Sequence, residues 1–178
     1  MIRTTLTLLI SACFLGCSTK QTQTSGLTRN STEASADTHP GNGFHLIEDF
    51  EKYKNTFESD TSDLYEHSTD GGELILFHTK DKDYRVFDIW LYGETRKIHA
   101  TYWTDSNLNF KLVKRTDFIY DKPYYLGDYK TEEVTQFFSY QDGLVKRYNS
   151  DRQEITATDN AEHEKATRQL FDDIVNDQ

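Results

Sequence analysis

Residues Tyr84-Arg85-Val86-Phe87-Asp88-Ile89-Trp90-Leu91-Tyr92, closed by Gly93-Glu94, are the stretch that decides the fold. In an extended chain Arg85, Phe87, Ile89 and Leu91 fall on one face, and Tyr84, Val86, Asp88, Trp90 and Tyr92 on the other. The period of two and the aromatic and β-branched residues predict a strand, with Gly93-Glu94 as its turn. Working outward, residues 73–78 predict the preceding strand, joined through the polar Lys80-Asp81-Lys82-Asp83. Residues 95–103 return from the turn, and Thr104-Asp105-Ser106-Asn107 turns the chain again. A long strand follows over 108–120, bending midway, until Pro123 removes a ladder donor. Strands over 134–140 and 144–149 flank Gln141-Asp142-Gly143, and Asp-Gly between apolar runs is a strong hairpin signal.

The period is helical at both ends of this series. Leu46, Ile47, Phe50, Tyr53 and Phe57 recur at helical spacing with charged residues between them, one apolar stripe on a helix. Near the C-terminus, Asp159 followed by Glu162 has the spacing of a capping box, and Ala166, Leu170, Phe171, Ile174 and Val175 form a second stripe. The predicted fold is α+β: an antiparallel meander sheet of about six strands, with an N-terminal and a C-terminal helix packed on it, over residues 44–178.

Before this domain the chain changes character. Arg3, the apolar run Leu6 to Leu15 and the small-residue site ending at Cys17 have the layout of an export signal, and the run is too short to span a bilayer. Phe14-Leu15-Gly16-Cys17 resembles the lipobox of bacterial lipoproteins, which implies that Cys17 is acylated and becomes the mature N-terminus. Ile10-Ser11-Ala12-Cys13 also fits a lipobox, but a cut there leaves a short apolar region, whereas Cys17 is followed by polar Ser18-Thr19-Lys20. An ordinary secretory signal is the plainer alternative. Residues 17–43 carry no apolar periodicity and read as a disordered tether, so the expected organisation is a signal peptide over 1–16, the tether, then the domain.

Cleavage before Cys17 removes one basic residue and no acid, leaving 19 basic against 30 acidic side chains and a net charge of −11. That sign opposes nucleic-acid phosphates and anionic headgroups, and the basic clusters Lys111 to Arg115 and Lys146-Arg147 are too short to override it. Both cysteines precede the domain, so no disulfide, thiol nucleophile or cysteine-ligated zinc is expected in it. With a single methionine, at position 1, tyrosine and phenylalanine must carry much of the core.

Few residue patterns point to chemistry. The six histidines show no ligand spacing; only His78 and His99 are placed to meet across strands, and no metal or cofactor is expected. Asp105-Ser106-Asn107-Leu108-Asn109 has the oxygen alternation of a calcium loop, but Phe110 stands where glycine is needed and no glutamate closes the loop, so a polar turn is expected. Asp88 with Glu94, or Glu132 with Glu133, are candidate acid and base pairs, yet among thirty acids such a pair is unspecific and no catalytic residue is assigned. The strongest candidate surface is aromatic. Phe118, Tyr120, Tyr124, Tyr125 and Tyr129 gather around Pro123, and Tyr120, Tyr124 and Tyr125 are the candidate ligand-binding residues, suited to stacking on a sugar or gripping a peptide; the plainer alternative is that these rings cap the core.

At Gly71-Gly72-Glu73, Tyr92-Gly93-Glu94-Thr95, Tyr102-Trp103 and Tyr120-Asp121-Lys122-Pro123 the chain resembles a family of small uncharacterised lipoproteins of Gram-negative bacterial envelopes, over residues 45–150. The resemblance implies an antiparallel sheet domain on a lipid tether and carries no activity; the expected location is the cell envelope, lipid-anchored at the outer membrane facing the periplasm. The expectation is a non-enzymatic binding module that meets the membrane through its acylated cysteine, takes an envelope protein or glycan as ligand, and does not bind nucleic acid. Two other classes stay open: an inhibitor of a basic hydrolase such as lysozyme, favoured by the negative charge, and a carboxylate-dependent envelope hydrolase.

Overall fold

The computed structural model describes residues 41–176; the expected signal peptide, Cys13, Cys17 and the expected tether through residue 40 lie outside the described residues. Seven strands form one antiparallel sheet in sequential order: β1 (Glu58–Asp63), β2 (Gly72–His78), β3 (Arg85–Gly93), β4 (Arg96–Thr104), β5 (Phe110–Tyr120), β6 (Thr131–Gln141) and β7 (Leu144–Tyr148). Helix α1 (His45–Tyr53) precedes the sheet and α2 (Asn160–Val175) follows it. The predicted α+β meander is present with one strand more than expected.

The extra strand is β1, Glu-Ser-Asp-Thr-Ser-Asp, whose residues are nearly all exposed. No apolar alternation marks it because it is an edge, paired with β2 on one side and facing water on the other. Cross-strand charge pairs add to its backbone ladder: Lys80 Nζ lies 2.9 Å from Glu58 and His78 Nε2 2.7 Å from Asp60. The predicted first helix overruns this boundary. It ends at Tyr53, whose carbonyl accepts from the Thr56 hydroxyl at 2.7 Å, and a single 3-10 turn then leads to an extended Phe57.

The central strands are buried on both faces, so the two helices take opposite sides. On the first face α1 sets Leu46 and Phe50 against Phe77, Val86, Trp103 and Leu112, with Phe44 edge-on to Phe137 at 5.3 Å. On the second, Phe171 and Ile174 of α2 pack on Phe87, Ile89, Tyr102 and Val113. Each buried large apolar side chain contributes about 1.5–3 kcal/mol, so both faces are needed to hold the fold. The α2 stripe is rotated slightly from its expected position. Thr167 is buried and Ala166 exposed, because the Thr167 carbonyl accepts from the Tyr102 hydroxyl at 2.9 Å. The expected capping box does not form: Asp159 makes no side-chain cap and instead holds Arg147 at 3.0 Å and His163 at 3.2 Å.

Three local features fix the register. Trp103 pairs with Leu112 but Thr104 with Phe110, so Lys111 is the extra residue of a bulge. That slip puts Leu112 in the α1-side core and Phe110 in the α2-side core; the irregularity lies near the start of β5, not midway. Asp142 and Gly143 both have positive φ, 49° and 76°, as a two-residue hairpin of this hand demands. A Cβ on Gly72 would sit 2.2 Å from the Trp90 carbonyl oxygen, so glycine is required there for β2 to approach β3.

Candidate functional site

In a meander, successive connections alternate between the two ends of the sheet. The segments 64–71, 93–95 and 121–130 therefore meet at one end, and the β2–β3, β4–β5 and β6–β7 turns at the other. The first end holds a cleft of about 320 Å³ lined by Asp70, Tyr92, Gly93, Lys97, Tyr120, Tyr124 and Tyr129.

Each wall is tied down by backbone hydrogen bonds. Tyr92 N–H donates to Gly71 O at 2.9 Å, Asp70 N–H donates to Tyr92 O at 3.1 Å, and the Ser68 hydroxyl also donates to Tyr92 O. The β5–β6 loop is anchored to the β3–β4 turn, Tyr120 N–H donating to Thr95 O and Tyr124 N–H to Glu94 O, both at 2.9 Å. Pro123 opens a 3-10 turn over Tyr124–Leu126, and Gly127 and Asp128, with φ of 66° and 44°, reverse the chain so that Tyr129 returns to Tyr120 at 4.8 Å between ring centroids. Asp121 closes the loop, accepting from Lys130 N–H at 2.8 Å.

Of the expected ligand-binding residues, the fold brings Tyr120 and Tyr124 into the cleft and leaves Tyr125 outside it, 61 % exposed and edge-on to Tyr124. Phe118 and Tyr120 belong to β5 and not to the loop. Sequence reading missed Tyr92, Lys97 and Asp70. Tyr92 and Lys97 are direct cross-strand partners across the Gly93 turn, so the predicted β3–β4 register was the signal that could have found the first two. Partial burial, then the neighbouring Glu73 carboxylate, raise the Tyr92 phenol; partial burial, then the Tyr129 and Tyr124 phenols, raise Tyr120. Both therefore stay protonated at neutral pH and offer a donor as well as a ring face.

The cleft continues onto the half of the first sheet face that α1 does not reach. There Trp90 stacks on His99 with centroids 3.7 Å apart and planes 9° apart, and lies nearly parallel to Tyr92 and Phe118 at 6.4 Å from each. Lys97 Nζ stands 4.9 Å from the Trp90 ring centroid and 4.5 Å from that of Phe118. Beneath them Asp88, 5 % exposed, accepts from His99 Nε2 and Thr101 Oγ1, each at 2.7 Å. Since a carboxylate only accepts, Nε2 carries the proton. Burial pushes the Asp88 carboxyl up, but the bonds from His99 and Thr101 outweigh it and hold it below the ordinary carboxylate range.

The other constellations resolve differently. His78 and His99 do not meet, because β3 separates their strands and each is taken by an aspartate, Asp60 and Asp88. Asp105 turns its carboxylate inward to the amides of Asn107 and Asn109, at 2.7 and 2.9 Å, the polar turn expected. Glu132 and Glu133 are adjacent in β6 and so project to opposite faces. Asp88 and Asp117, both buried acids, also lie on opposite faces, Asp117 being held by Arg96 and Arg115. A larger cavity, about 570 Å³, opens at the other end of the sheet around Lys80, Lys82, Asp83 and Arg85; the first three are spent on internal pairs with Glu58, Asp49 and Lys111, and no ring cluster accompanies Arg85 there. Comparison with protein-family models, curated proteins and solved structures finds no match for this chain.

Proposed function

We propose that this protein is a membrane-anchored envelope lipoprotein, acylated at Cys17, that acts as a non-enzymatic binding module and takes its ligand in the tyrosine cleft. The observation that carries the reading is the convergence of Tyr92, Tyr120, Tyr124 and Tyr129 around Lys97 on three separately anchored segments. Preformed ring faces with phenolic tips bury apolar area at little cost in conformational entropy and still satisfy a ligand's polar groups. The rings are also placed at the end of the sheet and not beneath a helix: Tyr124 and Tyr129 are 43 % and 42 % exposed, which argues against their serving as a cap on the core. The envelope location rests on the lipobox-like run at Cys17 and on the resemblance across residues 45–150.

The test is capture of ligand from solubilised envelope by the full chain, compared with Tyr124→Ala and Tyr129→Ala. The expected result is at least a tenfold loss of captured ligand in both variants with an unchanged far-ultraviolet circular dichroism spectrum. Undiminished capture by two folded variants would remove the cleft from the function. Mass spectrometry of the mature N-terminus tests the anchor, with an acylated Cys17 expected.

A further inference from the structure

We propose that the ligand is an acidic glycan, laid from the tyrosine cleft along the half of the sheet face that α1 leaves open; this rests on the binding reading above. The face presents a row of half-buried rings: Trp90 lies nearly parallel to Tyr92 and to Phe118, with His99 against one of its faces. It also presents lysines that make no ion pair. Lys54, Lys97 and Lys114 have no acid within ion-pair distance among the described residues, although the chain carries a net charge of −10. At the far end of the same sheet, Lys80, Lys82 and Lys111 each hold an acid.

The placement of these lysines has a direction. Lys97 lies opposite Phe118, Lys114 lies opposite Thr101, and Thr101 is four residues further along β4, about 14 Å at the rise of a strand. Lys54, on the turn after α1, stands 5.5 and 5.7 Å from the ring centroids of Phe50 and Phe77, at the upper border of the open half. The acids on this face do not cancel them. Asp88 is buried under His99 and Thr101, Glu73 accepts from the Tyr92 hydroxyl at 3.2 Å, Glu133 is the cross-strand neighbour of Phe118, and Asp70 lines the cleft, so the last three flank the track without pairing with its lysines. A lysine held over two rings keeps ammonium protons free to meet a carboxylate, and the rings beside it receive the apolar face of the sugar. An acidic peptide satisfies the lysines but leaves the row of parallel rings without a flat partner, which is why the glycan is favoured.

Titration of the full chain with hexagalacturonate, maltohexaose and poly-glutamate, followed by tryptophan fluorescence and calorimetry at low salt, decides the matter. Trp103 is 2 % exposed, so a fluorescence change reports on Trp90. Hexagalacturonate should bind at least tenfold more tightly than maltohexaose or poly-glutamate, and Lys97→Gln and Lys114→Gln should each erase most of that preference. Lys165→Gln, on the exposed side of α2, removes the same net charge and should leave the preference intact. Equal affinity for the two sugars overturns the charge inference while leaving the binding module standing. Equal affinity for poly-glutamate overturns the glycan. Binding of none of the three overturns the inference, and the envelope capture experiment then decides the binding module independently.

Discussion

One face of the sheet is built in two halves from the same strands. Under α1 its side chains are Phe77, Val86, Trp103, Leu112 and Phe137; further along it they are Asp88, Trp90, His99, Lys97 and Phe118. The first half is closed because α1 lays Leu46 and Phe50 across it. The second lies beside that helix and toward the cleft, because α1 crosses the other end of the sheet, the ring centroid of its last residue, Tyr53, lying 4.3 Å from Lys82 Nζ of the β2–β3 connection. The contrast teaches that an aromatic in a strand is not yet a core residue: Trp90 and Trp103 lie on one face of neighbouring strands, and the reach of one nine-residue helix separates a buried anchor from a half-buried ring.

The largest expected effect sharpens that contrast directly. Phe50→Ala removes the ring that meets Phe77 at 5.0 Å and Trp103 at 6.0 Å, and should cost about 3–5 kcal/mol in urea unfolding. Trp90→Ala should cost only about 1–2 kcal/mol, because the ring is only partly buried and no helix covers it. Equal costs would show that the open half is as closed as its neighbour.

Next comes Asp88→Asn, with an expected loss of about 1.5–3 kcal/mol, since a buried charge-assisted bond to His99 is weakened. The pH dependence gives the sign. Because the folded Asp88 carboxyl sits below its unfolded value of about 3.9, its contribution is complete above that value and disappears as pH falls through the folded one. Unfolding free energies across pH 2 to 6 should therefore fall more steeply in the wild type than in Asp88→Asn. Parallel curves would mean that the acid does not support the platform.

The smallest effect lies on the opposite face. The Thr104 hydroxyl is fully buried without a hydrogen-bond partner. Thr104→Val keeps the shape and removes the orphan group, so stability should hold or rise by about 1 kcal/mol. A loss of more than 1 kcal/mol would reveal a partner for that hydroxyl.

Legibility followed physical cause. Residues 84–92 announced a strand because both its faces carry side chains that must be packed, and Asp142-Gly143 announced its hairpin because few residue types tolerate its angles. The strand over 58–63 was silent because an edge is selected to stay polar. In the cleft, Tyr120 and Tyr124 were visible as a crowd around Pro123, but Tyr125, from the same crowd, faces water. Tyr92 and Lys97 were hidden inside strands that looked purely structural.

By itself the sequence determined the order of β2 to β7 and their turns, the two amphipathic helices, and a chain with more acid than base and no cysteine beyond position 17, because these depend on local period and composition. Which face each helix covers, where α1 stops short, and which rings and lysines are left together in the open were decided by tertiary structure. They depend on register and loop parity, which bring residues 70, 92, 97, 124 and 129 to one end of the sheet although no local pattern connects them.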